Sequence, residues 1–178
     1  MGRGNIFLVG MMGAGKTTIG KALAQRLRRE FVDTDRVLVE RTGVPVATVF
    51  EIEGEEGFRR RESGLLAELA RRDDCVVATG GGMVLSEDNR RVMRAAGTVV
   101  YLRARLENLW ERTRHDATRP LLATADPRGT LATILDEREP LYRDAAHVVM
   151  ETGTQSANTL VNRLVAALRA HEAARSAQ

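Results

Sequence analysis

The chain contains short apolar segments, several of them rich in β-branched residues, each shorter than a typical helix. They lie at 6–9, 31–32, 75–78, 98–102 and 147–150. Alternation of apolar with polar positions is missing from these segments, which is typical of strands buried on both faces of a parallel sheet. The pattern therefore predicts a central parallel sheet of five strands.

Segments with the helical spacing of apolar residues separate these strands. They lie at 17–29, 35–41, 55–72, 86–95, 105–113, 127–143 and 157–171. Ser86 and Asp126 can cap the helices that follow them, Pro127 suits a first helical position, and Gly97 can end a helix. The regular alternation of strands and helices predicts an α/β fold of three αβα layers.

The length of 178 residues suits one domain, so we predict a single domain over residues 1–178. The last residues, 172–178, are expected to fray. The segment 114–127 has no clear periodicity and lies between two predicted helices. A surface loop of this length is either disordered or functional, and it is a candidate lid.

Charge and aromatic content argue against a nucleic-acid partner. The net charge is +3, and only 4% of residues are aromatic, with no dense basic run interleaved with them. A small anionic substrate is enough to account for the positive surplus. Cys75, the only cysteine, lies in an apolar stretch and is expected to be a buried core residue, so neither a disulfide nor a cysteine metal site can form.

The chain has no long apolar segment at its amino terminus and no run that approaches about 18 apolar residues. We therefore expect neither a signal peptide nor a membrane span, and a cytoplasmic location.

Residues 10–17 fit a phosphate-binding loop: glycine, any four residues, glycine, lysine, then serine or threonine, directly after the first predicted strand. In such a loop, backbone N–H groups surround a polyphosphate, Lys16 reaches the β- and γ-phosphates, and the Thr17 hydroxyl ligates Mg²⁺. The following helix adds the positive end of its dipole. The residues expected to contact ATP here are Gly13, Ala14, Gly15, Lys16, Thr17 and Thr18.

The choice of lysine at position 16 supports this interpretation. The chain contains 25 arginines and only two lysines, Lys16 and Lys21. A phosphate loop needs a compact, flexible point charge, which the planar guanidinium of arginine does not supply.

Two further strand ends carry unusual residues. Asp33 and Asp35 follow the second strand, and glycines occupy positions 80–82 after the third. Ligands of open parallel sheets bind beyond the carboxyl ends of the strands, so these segments and the phosphate loop should face one crevice. Asp33 is the candidate that holds Mg²⁺ through water, whereas Asp35 either contacts substrate or caps a helix. The glycines either let a ligand approach closely or form a flexible turn.

Arg59 and Glu62 lie three residues apart on one face of a predicted helix. Taken alone, such a pair is interpreted as a solvated surface salt bridge worth about 0.3 kcal/mol.

Together, these residues resemble the shikimate kinase family, small P-loop NTPase kinases related in fold to nucleoside monophosphate kinases. The motifs occur in the order of the family over nearly the whole chain. They lie at 10–17, 33–35, 58–62, 80–82, 119–122 and 138–142.

The resemblance implies an enzyme that transfers the γ-phosphoryl group of ATP to the 3-hydroxyl of shikimate, with Mg²⁺ as cofactor, in chorismate and aromatic amino acid biosynthesis. Asp35 would hold the ring hydroxyls and accept a proton. Arg59 and Arg138 would clamp the substrate carboxylate, and Glu62 would orient an arginine. The substrate floor would be formed by Gly80, Gly81 and Gly82.

The resemblance also implies a mobile lid at about 114–127, substrate-binding helices at about 35–62 and two further nucleotide contacts. Arg119 would swing from the lid onto the phosphates, as a third catalytic residue beside Lys16 and Asp35. Arg112 would stack on adenine, with Gln155 as a further contact. The loop at 153–158 lacks the proline of some members, and the role of Gly57 is not evident from the sequence.

Other functions share part of this pattern. A gluconate kinase or a nucleoside monophosphate kinase would have the phosphate loop and lid, but less reason for the aspartate pair, the glycines and Arg138 together. A nucleotide switch or nucleic-acid-stimulated ATPase would need no small acceptor. The expected partners are therefore ATP and shikimate, for a monomer without nucleic-acid or membrane partners.

Overall fold

A computed structural model describes residues 4–116 and 120–177, and in it five strands form one sheet. All strand pairs are parallel, and the order across the sheet is β2-β3-β1-β4-β5. The strands are β1 (Asn5–Val9), β2 (Glu30–Asp33), β3 (Cys75–Ala78), β4 (Gly97–Ala104) and β5 (Val148–Thr152). The predicted five-stranded parallel sheet is confirmed.

Helices cover both faces of the sheet, which confirms the predicted αβα layers. Helices α1 and α7 pack together on one face, and α4 packs against both α3 and α6 on the other. The helices are α1 (Lys16–Leu27), α2 (Thr34–Thr42), α3 (Val46–Leu69), α4 (Glu87–Ala96), α5 (Leu106–Thr113), α6 (Pro127–Ala145) and α7 (Ala157–Ser176).

The predicted helix signals are present at the ends of these helices. Ser86 Oγ accepts a hydrogen bond from Asn89 N at 3.3 Å, and Asp126 Oδ1 accepts one from Gly129 N at 3.0 Å. Helix α7 continues to Ser176, into the segment that was expected to fray. In the described parts of the chain, no helix is long and apolar enough to cross a membrane.

Helix α3 is kinked at Gly54, whose φ of 69° and ψ of 178° are not helical. The sequence pattern predicted only the part that follows the kink and missed the turns at 46–53. The kink brings Glu53 over the next turn, where a Cβ at Gly57 would lie 2.5 Å from Glu53 Cβ. Close packing therefore explains the glycine at position 57.

The buried side chain of Asn5 joins three elements at the amino-terminal edge of the sheet. Its Nδ2 donates to Leu69 O at 3.1 Å, at the last residue of α3, and to Arg72 O at 2.7 Å, just beyond that helix. Its Oδ1 accepts a hydrogen bond from Cys75 N at 3.0 Å, where β3 begins. Cys75 itself is buried, as predicted.

We expect Asn5→Ala to lower the free energy of unfolding by about 2 to 3 kcal/mol, because it leaves buried backbone groups without partners. Urea denaturation measures this change. Asn158 is exposed on α7, so Asn158→Ala serves as the control and should change stability by less than about 0.5 kcal/mol. Equal effects of the two substitutions would contradict this role for Asn5.

His147 lies where the chain enters β5, and its ring is part of the backbone pairing. Its Nδ1 accepts a hydrogen bond from Val99 N at 3.0 Å, and its own N donates to Val99 O at 2.8 Å. Burial, together with the positive charge of Arg94, lowers the pKa of His147 to about 4. The folded chain thus favours the neutral ring, and the unfolded chain takes up the proton more readily.

This shift gives stability a definite pH dependence. The contribution of His147 is fully present above pH 6.5 and is lost as the pH falls towards 4. We expect His147→Asn, whose amide oxygen can still accept from Val99 N, to reduce the drop in melting temperature between pH 7 and pH 5. His115→Asn, at an exposed position, is the control. If both variants and the unmodified chain lose the same stability, His147 is not responsible.

Candidate functional site

Three loops meet at the carboxyl ends of β1, β2 and β3, as predicted. Thr79 N donates to Leu8 O at 3.1 Å, which joins the loop after β3 to β1. Gly80 N donates to Thr34 Oγ1 at 2.9 Å, which joins the same loop to the start of α2. Two neighbouring cavities open here, and Met12 and Asp35 line both of them.

The phosphate loop has the backbone that its sequence predicts. Gly13 and Gly15 have φ of 78° and 94°, a region that residues with side chains rarely adopt. Ala14 N donates to Met11 O at 3.1 Å and closes the turn. Helix α1 then begins at Lys16 without a side-chain cap, so the loop presents the helix amino terminus to an anion.

The ammonium group of Lys16 lies over this loop. Its Nζ donates to Gly10 O at 2.7 Å and to Met11 O at 2.8 Å. These two carbonyls hold the positive charge close to the loop, beside a cavity of about 310 Å³ that Lys16 lines together with Thr17 and Asp33. The cavity therefore combines backbone amides with a fixed cation, which suits a polyphosphate.

Asp33 contacts both the phosphate loop and helix α2. Its Oδ2 accepts a hydrogen bond from Thr17 Oγ1 at 2.7 Å, and its Oδ1 accepts one from Arg36 N at 3.3 Å. Asp33 is thus the N-cap of α2, and the alternative that Asp35 caps this helix is wrong. Asp35 lies in the first turn and lines both cavities.

The second cavity, of about 400 Å³, brings together the residues expected to bind an acceptor. Its apolar wall includes side chains that the sequence analysis did not identify, among them Val46 and Phe50. Both belong to the part of α3 that the pattern missed. The predicted polar and glycine positions that line this cavity are Asp35, Arg59, Glu62, Gly80, Gly81, Gly82 and Arg138.

Arg59 and Glu62 form an ion pair in which Glu62 is buried and Arg59 is partly exposed, so their interpretation as a solvated surface pair is wrong. The Glu62 side chain is 1% exposed, and its Oε2 lies 2.5 Å from Arg59 Nη1. Arg59 also pairs with Glu55 Oε1 at 3.0 Å. Its guanidinium lies 5.5 Å and 5.9 Å from the ring centres of Phe58 and Phe50, within reach of a cation–π interaction.

The other oxygen of Glu62, Oε1, accepts no hydrogen bond within the described part of the chain. Burial raises the pKa of the Glu62 carboxyl, the charge of Arg59 offsets this only in part, and the charge of Asp35 raises it further. A Cβ at Gly80 would lie against this oxygen. Two carboxyl groups therefore flank the Cα of Gly80 on the floor of the cavity.

Close packing also explains the glycine at position 82. Gly82 has a φ of −93°, which any residue can adopt, but the Arg59 guanidinium lies where its Cβ would be. A Cβ at Gly81 would lie 3.6 Å from Arg138 Nη1, an ordinary van der Waals distance, so packing does not require a glycine there. Gly80 and Gly82 thus let charged side chains approach the backbone, which favours the binding interpretation over a flexible turn.

Helix α6 contacts the glycine segment, residues 80–82, through Tyr142 and lines the same cavity through Arg138. Arg138 is only 6% exposed and projects towards the acceptor cavity. One turn on, the hydroxyl of Tyr142 donates to Gly81 O at 2.6 Å. Burial raises the pKa of Tyr142, so the hydroxyl keeps its proton at neutral pH and remains a donor. The sequence motif included Tyr142 but did not show this contact.

Arg112 connects the phosphate loop to the loop that follows β5. It donates to Gly13 O at 3.0 Å and to Gly153 O at 2.6 Å, and Gln155 Oε1 accepts a hydrogen bond from Gly153 N at 3.0 Å. Arg112 therefore contacts the phosphate loop directly, and Gln155 lies in the loop that Arg112 joins to it. Arg119, the predicted lid residue, lies outside the described residues.

Comparisons with known proteins identify the family. The shikimate kinase family model matches residues 12–169. A shikimate kinase of Nitrosospira multiformis is 56% identical over 161 residues, which cover 90% of this chain and 83% of that protein. One of Chromobacterium violaceum is 54% identical and covers 91% and 88%. The chain belongs to the shikimate kinase family.

Solved structures agree with this assignment to the shikimate kinase family. Shikimate kinase from Acinetobacter baumannii, in complex with shikimate, has a TM-score of 0.89 and 44% identity, covering 92% of this chain and 91% of that one. A gluconokinase from Sinorhizobium meliloti has a TM-score of 0.62 at 19% identity, covering 99% and 98%, and thus shares the fold. The predicted fold is confirmed.

In this member of the shikimate kinase family, we expect Gly80→Ala to lower the free energy of unfolding by about 1 to 3 kcal/mol, because of overpacking. Its new Cβ would lie 2.8 Å from Asp35 Oδ1 and also against Glu62. Gly64→Ala, in a helix where a Cβ meets open space, is the control and should stabilise by about 0.5 to 1 kcal/mol. Urea denaturation measures both, and a stabilising Gly80→Ala would contradict the close packing.

Proposed function

We propose that this chain transfers the γ-phosphoryl group of ATP to the 3-hydroxyl of shikimate, which yields shikimate 3-phosphate and ADP. Membership of the shikimate kinase family supports phosphorylation of shikimate. The observation that carries the proposal is the position of Asp35 between the two cavities. A hydroxyl bound to Asp35 would lie next to the phosphate loop, where a γ-phosphate would end.

The residues of the first cavity suit a nucleotide and a magnesium ion. The Thr17 hydroxyl and the Asp33 carboxylate offer oxygen ligands, which Mg²⁺ prefers. Asp33 is proposed to act through water. Mg²⁺ bound there would neutralise negative charge on the phosphates. The loop amides and Lys16 would orient the β- and γ-phosphates, with Arg112 and Gln155 on the adenine side.

The charges of the second cavity suit a hydroxylated carboxylic acid. Arg59 and Arg138 would clamp the carboxylate, because guanidinium groups match carboxylates with paired hydrogen bonds. Glu62 would keep Arg59 in place through their ion pair. Asp35 would hold the attacking hydroxyl and accept its proton, while the backbone of Gly80, Gly81 and Gly82 forms the floor.

Phosphoryl transfer needs little covalent help from a protein, so positioning and charge neutralisation would supply most of the rate. Lys16 and Arg119 are proposed to stabilise the charge on the transferred group. A lid at about 114–127 would exclude water, which otherwise hydrolyses ATP. Leu121, in its described part, lines the acceptor cavity.

We expect Lys16→Met to reduce ADP formation by at least about a hundredfold, because it removes a charge next to the developing phosphate charge. Lys21 is the only other lysine and is exposed on α1, so Lys21→Met is the control and should keep full activity. A coupled assay of ADP release, with ATP and magnesium, measures both.

The same assay tests the acceptor. The unmodified chain should release ADP quickly with shikimate and only slowly with gluconate, with a nucleoside monophosphate or without an acceptor. Rapid release with one of the other acceptors but not with shikimate would overturn the proposed function. Release without any acceptor would instead indicate a nucleotide hydrolase.

The exposed surface bears on assembly. The large apolar residues that are exposed among those described are Val39, Ile52, Leu85 and Val149. Their scatter over several elements supports the proposal that the chain works as a monomer, and we propose that it acts in the cytoplasm. A sedimentation experiment that finds a stable dimer would contradict it.

A further inference from the structure

We propose that Asp33 is a positioning residue that links the two cavities, by joining the hydroxyl of Thr17 to the helix that carries Asp35. Binding at the phosphate loop and binding of the acceptor would then strengthen each other through this one carboxylate. The inference rests on the proposed function and gives Asp33 a second role beside that of holding a metal.

The two oxygens of Asp33 contact two different elements. Oδ2 accepts the Thr17 hydroxyl at 2.7 Å, from the first turn of α1. Oδ1 accepts Arg36 N at 3.3 Å, from the first turn of α2. Because one rigid carboxylate serves both contacts, a change in its orientation affects both helices.

The cap matters for the acceptor because Asp35 lies in the first turn of α2. This helix spans nine residues, Thr34–Thr42, and Asp33 supplies its side-chain cap. Loss of an N-cap costs about 1 kcal/mol and frays the first turn. A frayed turn would have to be ordered again whenever Asp35 binds a hydroxyl, so the acceptor would bind more weakly.

A second contact holds the first residue of α2, Thr34, in place. The buried hydroxyl of Thr34 accepts Gly80 N at 2.9 Å, which fixes the residue between Asp33 and Asp35 to the loop after β3. Two contacts therefore set the orientation of Asp35: the one from Thr34, which precedes it, and the cap from Asp33 to Arg36, which follows it.

The contact with Thr17 connects this cap to the nucleotide. A cation held at the Thr17 oxygen would make its hydroxyl a stronger hydrogen-bond donor, and a bound nucleotide would shield the contact from water. Both effects would hold Asp33 in the orientation that caps α2. Conversely, an acceptor that orders the first turn of α2 fixes Asp33 for Thr17, since such coupling is reciprocal.

Two substitutions of Asp33 separate these roles. Asp33→Asn keeps an oxygen that can cap α2, but its amide nitrogen can only donate to the Thr17 hydroxyl. A cation bound to the Thr17 oxygen would oppose such a donor, so the link would be lost once ADP and magnesium bind. Asp33→Ala removes the cap as well as the link. Ser86→Ala, which removes the cap of α4, is the control for a general effect of cap loss on stability.

Calorimetric titration with shikimate, without nucleotide and with ADP and magnesium at concentrations that saturate each variant, measures the link. In the unmodified chain, ADP and magnesium should strengthen shikimate binding by about fivefold or more. Asp33→Asn should bind shikimate normally without nucleotide but lose the increase. Asp33→Ala should bind it about fivefold more weakly even without nucleotide, which is the loss of about 1 kcal/mol of capping. Ser86→Ala should keep both the affinity and the increase.

The outcomes distinguish this inference from the proposed function. If Asp33→Asn keeps the full increase, or if a folded Asp33→Ala binds shikimate normally without nucleotide, the inference is wrong although the function stands. Should Asp33→Ala fail to fold, Asp33→Asn alone decides. If the unmodified chain does not bind shikimate at all, the proposed function fails first.

Discussion

The site depends on the parallel pairing of β3 between β1 and β2. This pairing places the carboxyl ends of three strands side by side, although the loops that follow them are far apart in the sequence. Hydrogen bonds from Thr79 to Leu8 and from Gly80 to Thr34 continue the pairing beyond the strands. The phosphate loop, the first turn of α2 and the glycine segment therefore have fixed relative positions, which every role proposed for them requires.

The acceptor cavity is lined by ionisable side chains that are buried in the folded chain. Glu62 and Arg138 are both almost completely buried, and Arg59 lies between Glu62 and two aromatic rings. Removing one partner of a buried ion pair costs about 3 to 5 kcal/mol, and replacing such pairs with apolar residues often stabilises a protein. Buried charges of this kind are better explained by preorganised binding than by stability.

Local patterns in the sequence predicted most of the fold and the phosphate loop. Strand and helix positions follow from apolar periodicity, and Gly13 and Gly15 have the positive φ that their motif requires. The turns at 46–53 were missed because the kink at Gly54 interrupts the helical pattern. As a consequence, the contribution of Phe50 to the cavity wall was missed as well.

Other features depend on contacts between distant residues. The spacing of Arg59 and Glu62 is the same for an exposed and a buried pair, and only the packing of α3 against the glycine segment distinguishes them. The sequence offered Asp35 as the cap of α2, and the backbone of the turn instead places Asp33 at that position. The hydrogen bond from Tyr142 to Gly81 joins residues 61 positions apart.

The most direct test of the account is a crystal structure of this chain with ADP, magnesium and shikimate. It should show the carboxylate between Arg59 and Arg138 and a ring hydroxyl on Asp35, facing the phosphate loop; shikimate bound outside this cavity would contradict the account.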